Sequence, residues 1–184
     1  MRLKLLIAKL QRLRREEGAV AAVEFALILP FLLALYVGSI EASQLITVDR
    51  RITTIAGTVG DLVARSDGTI TQSQLTDYFR AAEGIILPFS TTGLKQVVTS
   101  VYVNAAGATN VQWSQPYNGG TARVVGQPYT LPVEITNISR NAYVIVSETS
   151  YSYLPLLGIV FKTSVPLYRE NFHMPRFGAA INLN

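Results

Sequence analysis

The sequence predicts an α+β protein: a long N-terminal helix, a short second helix and an antiparallel sheet of about four strands. Three observations predict it. Residues 19–40 form an apolar run of 22 residues with one charge, Glu24. Apolar side chains then recur every three or four positions as far as Leu62, the spacing of a one-sided helix. After about Gly84 the period drops to two, the mark of strands. Helices followed by a run of strands make the α+β class.

Composition narrows the function. Of 184 residues, 49% are hydrophobic and only 15% charged, against about 25% charged in ordinary soluble domains. That deficit, with the apolar excess, argues against a disordered tail or a soluble nucleic-acid module. There is no cysteine, which removes disulfide scaffolds, thiolate zinc sites and thiol catalysis. One histidine, His173, leaves little for a relay or a metal centre. The formal charge of +4 is local: residues 1–19 carry six basic side chains against two acidic, and the remainder carries ten of each. A charge held at one end beside an apolar run is a topology signal.

Residues 1–17 place Leu3, Leu6, Ile7, Leu10 and Leu13 on one face, with Lys4, Lys9, Arg12 and Arg15 off it. This suits an amphipathic helix on the inner leaflet. The run from Ala19 to Ile40 would be roughly 33 Å long as a helix, enough for a bilayer core of about 30 Å. It exceeds a signal-peptide core, and Ser39-Ile40-Glu41-Ala42 is a poor cleavage site. The basic residues upstream put the N-terminus in the cytoplasm and the rest outside.

Glu24 costs about 2.5–3.5 kcal/mol if it lies deep in the bilayer, and less towards the headgroups, where it could also simply rest. Ala22, Ala26, Pro30, Ala34, Gly38 and Ala42 repeat every fourth position, a stripe that lets helices in lipid approach closely, although apolar segments are rich in such residues anyway. Pro30 frees the carbonyl of Ala26, so a kink is expected near it.

The helix continues outside: Leu45, Val48, Ile52, Ile55, Val59 and Leu62 form one stripe, with Asp49, Arg50, Arg51 and Asp61 off it. Ser66-Asp67-Gly68 ends it. Thr71 and Gln74 form a capping box for a second helix through Leu75, Tyr78, Phe79 and Ala82, ending near Gly84. Val97, Thr99, Val101 and Val103 make a strand, and Thr109, Val111 and Trp113 its hairpin partner. Tyr143–Leu154 is a third strand. Ile159, Phe161, Val165 and Leu167 mark a fourth, with Pro166 requiring an edge or a bulge. Residues 114–141 are broken by Gly and Pro; such a loop is functional, disordered or conceals a short element, and Pro132-Val133-Glu134-Ile135 suggests a helical turn. The late aromatics Tyr151, Tyr153, Tyr168, Phe172 and Phe177 read as core and rim, and His173 as a surface or strand-end residue.

Arg14-Arg15-Glu16-Glu17-Gly18 lies upstream of the apolar run, and Ala22-Val23-Glu24-Phe25-Ala26-Leu27 opens it. This resembles the N-terminus of type IV prepilin-like proteins, specifically the TadE/TadG-like minor pilins (pseudopilins) of tight-adherence, Flp-type pili. The resemblance implies a basic leader ending in a small residue and removed on the cytoplasmic side by a membrane-embedded prepilin peptidase. It implies a Glu at mature position five, followed by an aromatic, which points to Glu24 and Phe25. Cleavage after Gly18 puts Glu24 sixth; cleavage after Ala19 makes Val20 first and Glu24 fifth. Spacing favours Ala19–Val20, while Gly is the commoner residue before the cut. A new ammonium one helical turn from Glu24 would offset the cost of both buried charges, within one chain or between neighbours.

The implied partners are the bacterial inner membrane, the prepilin peptidase, pilus subunits, and other minor pilins or secretion-platform proteins. The implied layout is a leader over 1–19, a helix over 20–65 and a periplasmic α+β domain over 66–184. Met174-Pro175-Arg176 and the strand ending Tyr151–Leu156 match the family's C-terminal organisation more loosely.

No phosphate loop, HExxH, GxSxG or EF-hand spacing occurs, so no enzyme and no cofactor is expected. The alternative to a pseudopilin is an uncleaved single-pass binding module that uses loop 114–141 and the aromatics. An anchored hydrolase is disfavoured because no nucleophile–base pair can be named.

Overall fold

The computed structural model describes residues 17–155, 158 and 162–184. The amphipathic reading of the leader, and Ile159 and Phe161 of the expected fourth strand, lie outside the described residues. Helix α1, Glu17–Ala64, runs unbroken through Pro30 for 48 residues, about 72 Å. The short strand β1 is Thr69–Ile70. Helix α2, Gln72–Ile86, carries the expected cap: Thr71 Oγ1 accepts from Gln74 N at 3.2 Å, and the Gln74 side chain accepts from Thr71 N at 3.0 Å. It continues past Gly84 because Ile86 is fully buried and holds the last turn down.

Strands β2 (Leu94–Val103), β3 (Thr109–Tyr117), β4 (Ala142–Tyr153) and β5 (Val165–His173) form one antiparallel sheet in the order β3-β2-β4-β5, with helix α3, Val133–Ile138, before β4. Pro166 lies on the edge strand β5, where its missing donor costs no central ladder bond. Helix α1 packs on α2 and against β4 and β5. Val48, Ile52, Ile55, Val59 and Val63 are fully buried in that seam. Leu62 is only half-buried: the seam drifts around the helix, and Val63 takes the inward position.

Both faces of the sheet are covered. Leu94, Val98, Ile145, Tyr151 and Tyr153 face the helices, with Trp113, Phe79 and Ile181 in the same core. The alternating set read from the sequence, Val101 and Val103 with Val111, Val144 and Val146, lies on the opposite face, packed against Tyr129 and Leu131. Loop 114–141 is therefore not an open loop. Its start is the end of β3, and its middle straps the sheet: Val111 N donates to Gln127 O at 2.9 Å, Gly126 N to Val111 O at 2.8 Å, and Thr109 Oγ1 to Tyr129 O at 2.6 Å. The register shifts between Ser100 and Val101, where Gln112 is the extra residue of a β-bulge on β3. The strap uses up an edge that would otherwise be open to another chain.

The C-terminus closes the fold in a way no sequence pattern indicated. Strand β6, Asn182–Leu183, pairs parallel to β1, and the Trp113 indole donates to Ile181 O at 2.6 Å. Arg176, of the Met-Pro-Arg segment, donates from its backbone to Ala64 O at 2.9 Å and pairs with Asp61 at 2.5 Å. Hydrogen bonds from Arg65 and Arg176 hold the Asp61 carboxyl down at about 2. Because the folded value is depressed, its contribution is present above the ordinary carboxylate range and is lost as pH falls towards 2. Asp61→Asn should therefore lower the thermal midpoint of the full chain at pH 7. The gap should close by about pH 2, and a gap that stays constant with pH would refute the assignment.

Two glycines of α1 face β5 at different distances. A Cβ on Gly60 would stand 2.5 Å from His173 Cδ2 and 3.2 Å from Ser147 Cβ; one on Gly57 would stand 3.5 Å from the Asn171 amide. Alanine in a helix gains about 1 kcal/mol over glycine, whereas overpacking costs about 1–3 kcal/mol. Gly57→Ala should hold or raise the melting temperature and Gly60→Ala should lower it; the reverse order would sink the packing argument.

Candidate functional site

One helix has two surroundings. Every side chain from Val20 to Tyr36 is exposed, including Phe31 at 71% and Leu35 at 72%, whereas Val48 and Ile52 on the same helix are at 0%. The segment Val20–Ala64 is long and apolar enough to cross a membrane, and none of its most apolar window is buried among the described residues. Such exposure over many turns is far beyond the patches that soluble monomers tolerate.

Gly18 and Ala19 are in helical backbone, continuous with Val20. Val20 (47% exposed), Glu24 and Phe25 (58%) follow on the bare segment; among the described residues no other element covers them. Ala22, Ala26, Pro30 and Ala34 are exposed too, and Gly38 and Ala42 are half-buried where the domain begins. Phe31, Ala34, Leu35, Gly38 and Ser39 line a shallow apolar groove. Chemically the segment can pack against apolar partners and hold one carboxylate.

The junction holds a residue that sequence reading passed over. Glu41 is 1% exposed, directly after the apolar run. Nearby, the Tyr153 hydroxyl donates to Gln44 Oε1 at 3.2 Å; burial pushes this phenol up, and the charge of Glu41 adds to the effect. A lone acid at the end of an apolar run is the available signal, but the sequence reading takes it only as part of the poor cleavage site Ser39-Ile40-Glu41-Ala42.

A second polar group lies across the sheet. Glu148, 4% exposed, receives the Arg123 guanidinium through both carboxylate oxygens and the Tyr168 hydroxyl at 2.7 Å. Tyr168 also donates to Glu170 at 3.1 Å. Burial, then the adjoining Glu148 carboxylate, holds the Tyr168 phenol well above its ordinary value. Arg123 and Tyr168 both line two adjoining clefts, of about 490 and 260 Å³, between strap and sheet. The group fastens the strap: removing Arg123 would leave a nearly buried carboxylate without its ion pair. Tyr151 and Tyr153 are core, while Tyr168 and Phe177 are exposed. His173, at the end of β5, is pressed on Gly60, and burial lowers its pKa. No cluster of three or more His, Cys, Asp or Glu side chains able to hold a metal ion occurs among the described residues.

Residues 19–58 match the family model described as TadE-like protein. No curated protein and no solved structure matches the chain. The matched segment takes in the whole bare stretch of α1, Glu24, the small-residue stripe and the first half of the buried seam. Over residues 19–58, and there alone, the chain is similar to the TadE-like family.

Proposed function

We propose that the chain is a pseudopilin of a tight-adherence pilus machine, held in the inner membrane by the first half of α1 with its α+β domain in the periplasm. The observation that carries this reading is the bare Val20–Tyr36 stretch, which holds a single carboxylate. A prepilin peptidase removes the basic leader at Gly18–Ala19 or Ala19–Val20. The new α-ammonium then stands about one turn from Glu24, and mutual neutralisation offsets the cost of burying both. The small-residue stripe allows neighbouring helices of pilus subunits or other minor pilins to approach at short range. The domain, held upright by the seam, meets the subunits or the secretion platform.

Orientation is tested by single cysteines in this cysteine-free chain. Ser66→Cys and Gly107→Cys should react with an impermeant thiol reagent from the periplasmic side, and Gln11→Cys should not. Labelling at position 11 from outside would reverse the topology and remove the peptidase argument.

Processing is tested by intact mass after co-expression with the cognate peptidase. The mature chain should begin at Ala19 or Val20, and should focus at a sharply lower pH because the whole formal +4 leaves with the leader. Glu24→Gln should still be cut but enter the pilus machine at least about tenfold less well, since glutamine cannot neutralise an ammonium out of water. An N-terminus left at Met1 in piliated cells would overturn the reading in favour of an uncleaved anchored binding module.

A further inference from the structure

The described end of the domain nearest the bare helix is apolar, and its level on the helix can be read from the contacts. The Tyr153–Gln44 hydrogen bond fixes the end of β4 beside residue 44. That is four residues beyond Ile40, about 6 Å along the axis. The headgroup layer beyond the hydrocarbon is about 5–7 Å deep on each side. Strand β4 runs towards the membrane, since Ser147 lies by Gly60 and Tyr153 by Gln44. Leu154 therefore lies at or below that level, and it is 69% exposed.

The α2–β2 connection reaches the same end. The Tyr151 hydroxyl donates to Ser90 O at 2.9 Å, the Phe89 and Tyr153 rings meet at 6.1 Å, and Arg51 donates to the carbonyls of Ile85 and Leu87. The Leu87 side chain is left 57% exposed, and Ile46 on α1 is 55% exposed.

We propose that this rim, made by Ile46, Leu87 and Leu154, rests in the headgroup–acyl boundary of the outer leaflet, so that the domain docks on the lipid surface. The occupant is lipid because Ile46 belongs to the helix that carries the bare segment, about 9 Å beyond Ile40, and Leu154 lies at or below the level of Gln44, both within the depth an interfacial apolar group reaches, about 5–10 Å. Equally exposed apolar residues at the other end lie on no element that reaches the bare segment. Val133 (69%) and Ile138 (67%) lie on α3, which Arg140 ties to the β2–β3 turn through Ala105 O at 3.0 Å. The inference rests on the proposed membrane span of α1. It adds that the domain is held at a fixed height and tilt, with two connections serving as feet.

The test uses full-length protein in phosphatidylcholine nanodiscs, with an environment-sensitive fluorophore on single cysteines at Leu33→Cys, Leu87→Cys, Leu154→Cys, Val133→Cys and Ile138→Cys. Shallow nitroxide-labelled lipid should remove about half of the emission at positions 87 and 154 and shift it to the blue, with positions 133 and 138 unchanged. Deep nitroxide lipid should quench position 33. Quenching at 33 without any at 87 and 154 overturns the docking alone. No quenching at 33 overturns the span itself. Quenching at 133 and 138 equal to that at 87 and 154 also overturns the docking, since a domain lying on its side would give it.

Discussion

The seam of Val48, Ile52, Ile55, Val59 and Val63 against the inner face of β4 and β5 is the interaction on which the rest of the structure depends. Each side chain is fully removed from water, worth about 1.5–3 kcal/mol apiece by area. That sum makes the outer half of α1 part of the domain core instead of a linker. The inner half has no such partner among the described residues, which suits a surrounding of lipid or of other helices. Because both halves belong to one helix, the orientation of the domain is coupled to whatever the bare half packs against. A flexible linker would have separated the two; the buried seam joins them.

The sheet answers the same constraint from its other side. With helices on one face, a four-stranded antiparallel sheet commonly leaves the second face to solvent. Here that face carries Val101, Val103, Val144 and Val146, too apolar to leave wet, and the strap supplies Tyr129 and Leu131 to cover it. The strap needs an anchor, and it finds one in Glu148, whose two oxygens are occupied by Arg123 and Tyr168. A carboxylate this deeply placed is costly alone and serviceable only when its lone pairs are met. The clefts beside it are the gaps between a strap fixed at a few points and a twisted sheet.

Much of the architecture was legible in the residues, and what was not has physical reasons. Helix α1, the capping box of α2 and the four antiparallel strands follow from periodicity and from two polar side chains at the right spacing. The strap was illegible because its backbone bonds reach the edge of β3 without any repeating pattern; only the buried Tyr129 and Leu131 hint that it packs. The pairing of β6 with β1 was invisible because two-residue strands carry no period and their partners are more than a hundred positions apart. The stripe reading misplaced Leu62, since 3.6 residues per turn rotates a seam gradually and Val63 replaces it. The bare segment and Glu24 were the clearest features of all, because a charge in an apolar run is conspicuous without any fold. Glu41 was missed because, at the end of such a run, it counts only as part of a poor cleavage site.

Charge distribution limits how the outer domain can find a partner. All of the formal +4 belongs to residues 1–19, and the rest of the chain carries ten charges of each sign. Several of these are already used in pairs, including Asp49 with Arg169, Asp61 with Arg65 and Arg176, and Glu148 with Arg123. One of the ten acids, Glu24, lies on the bare segment, so the outer domain is close to neutral, and with internally matched charges it has little long-range field to steer association. Recognition outside the membrane then depends on shape and on apolar contact over short distances. Such contacts become effective once a partner is confined to the same membrane and held at the same height. Confinement to a surface raises the effective concentration of partners much as a tether does. On the proposed membrane span, α1 thereby supplies the encounter that the domain's electrostatics cannot.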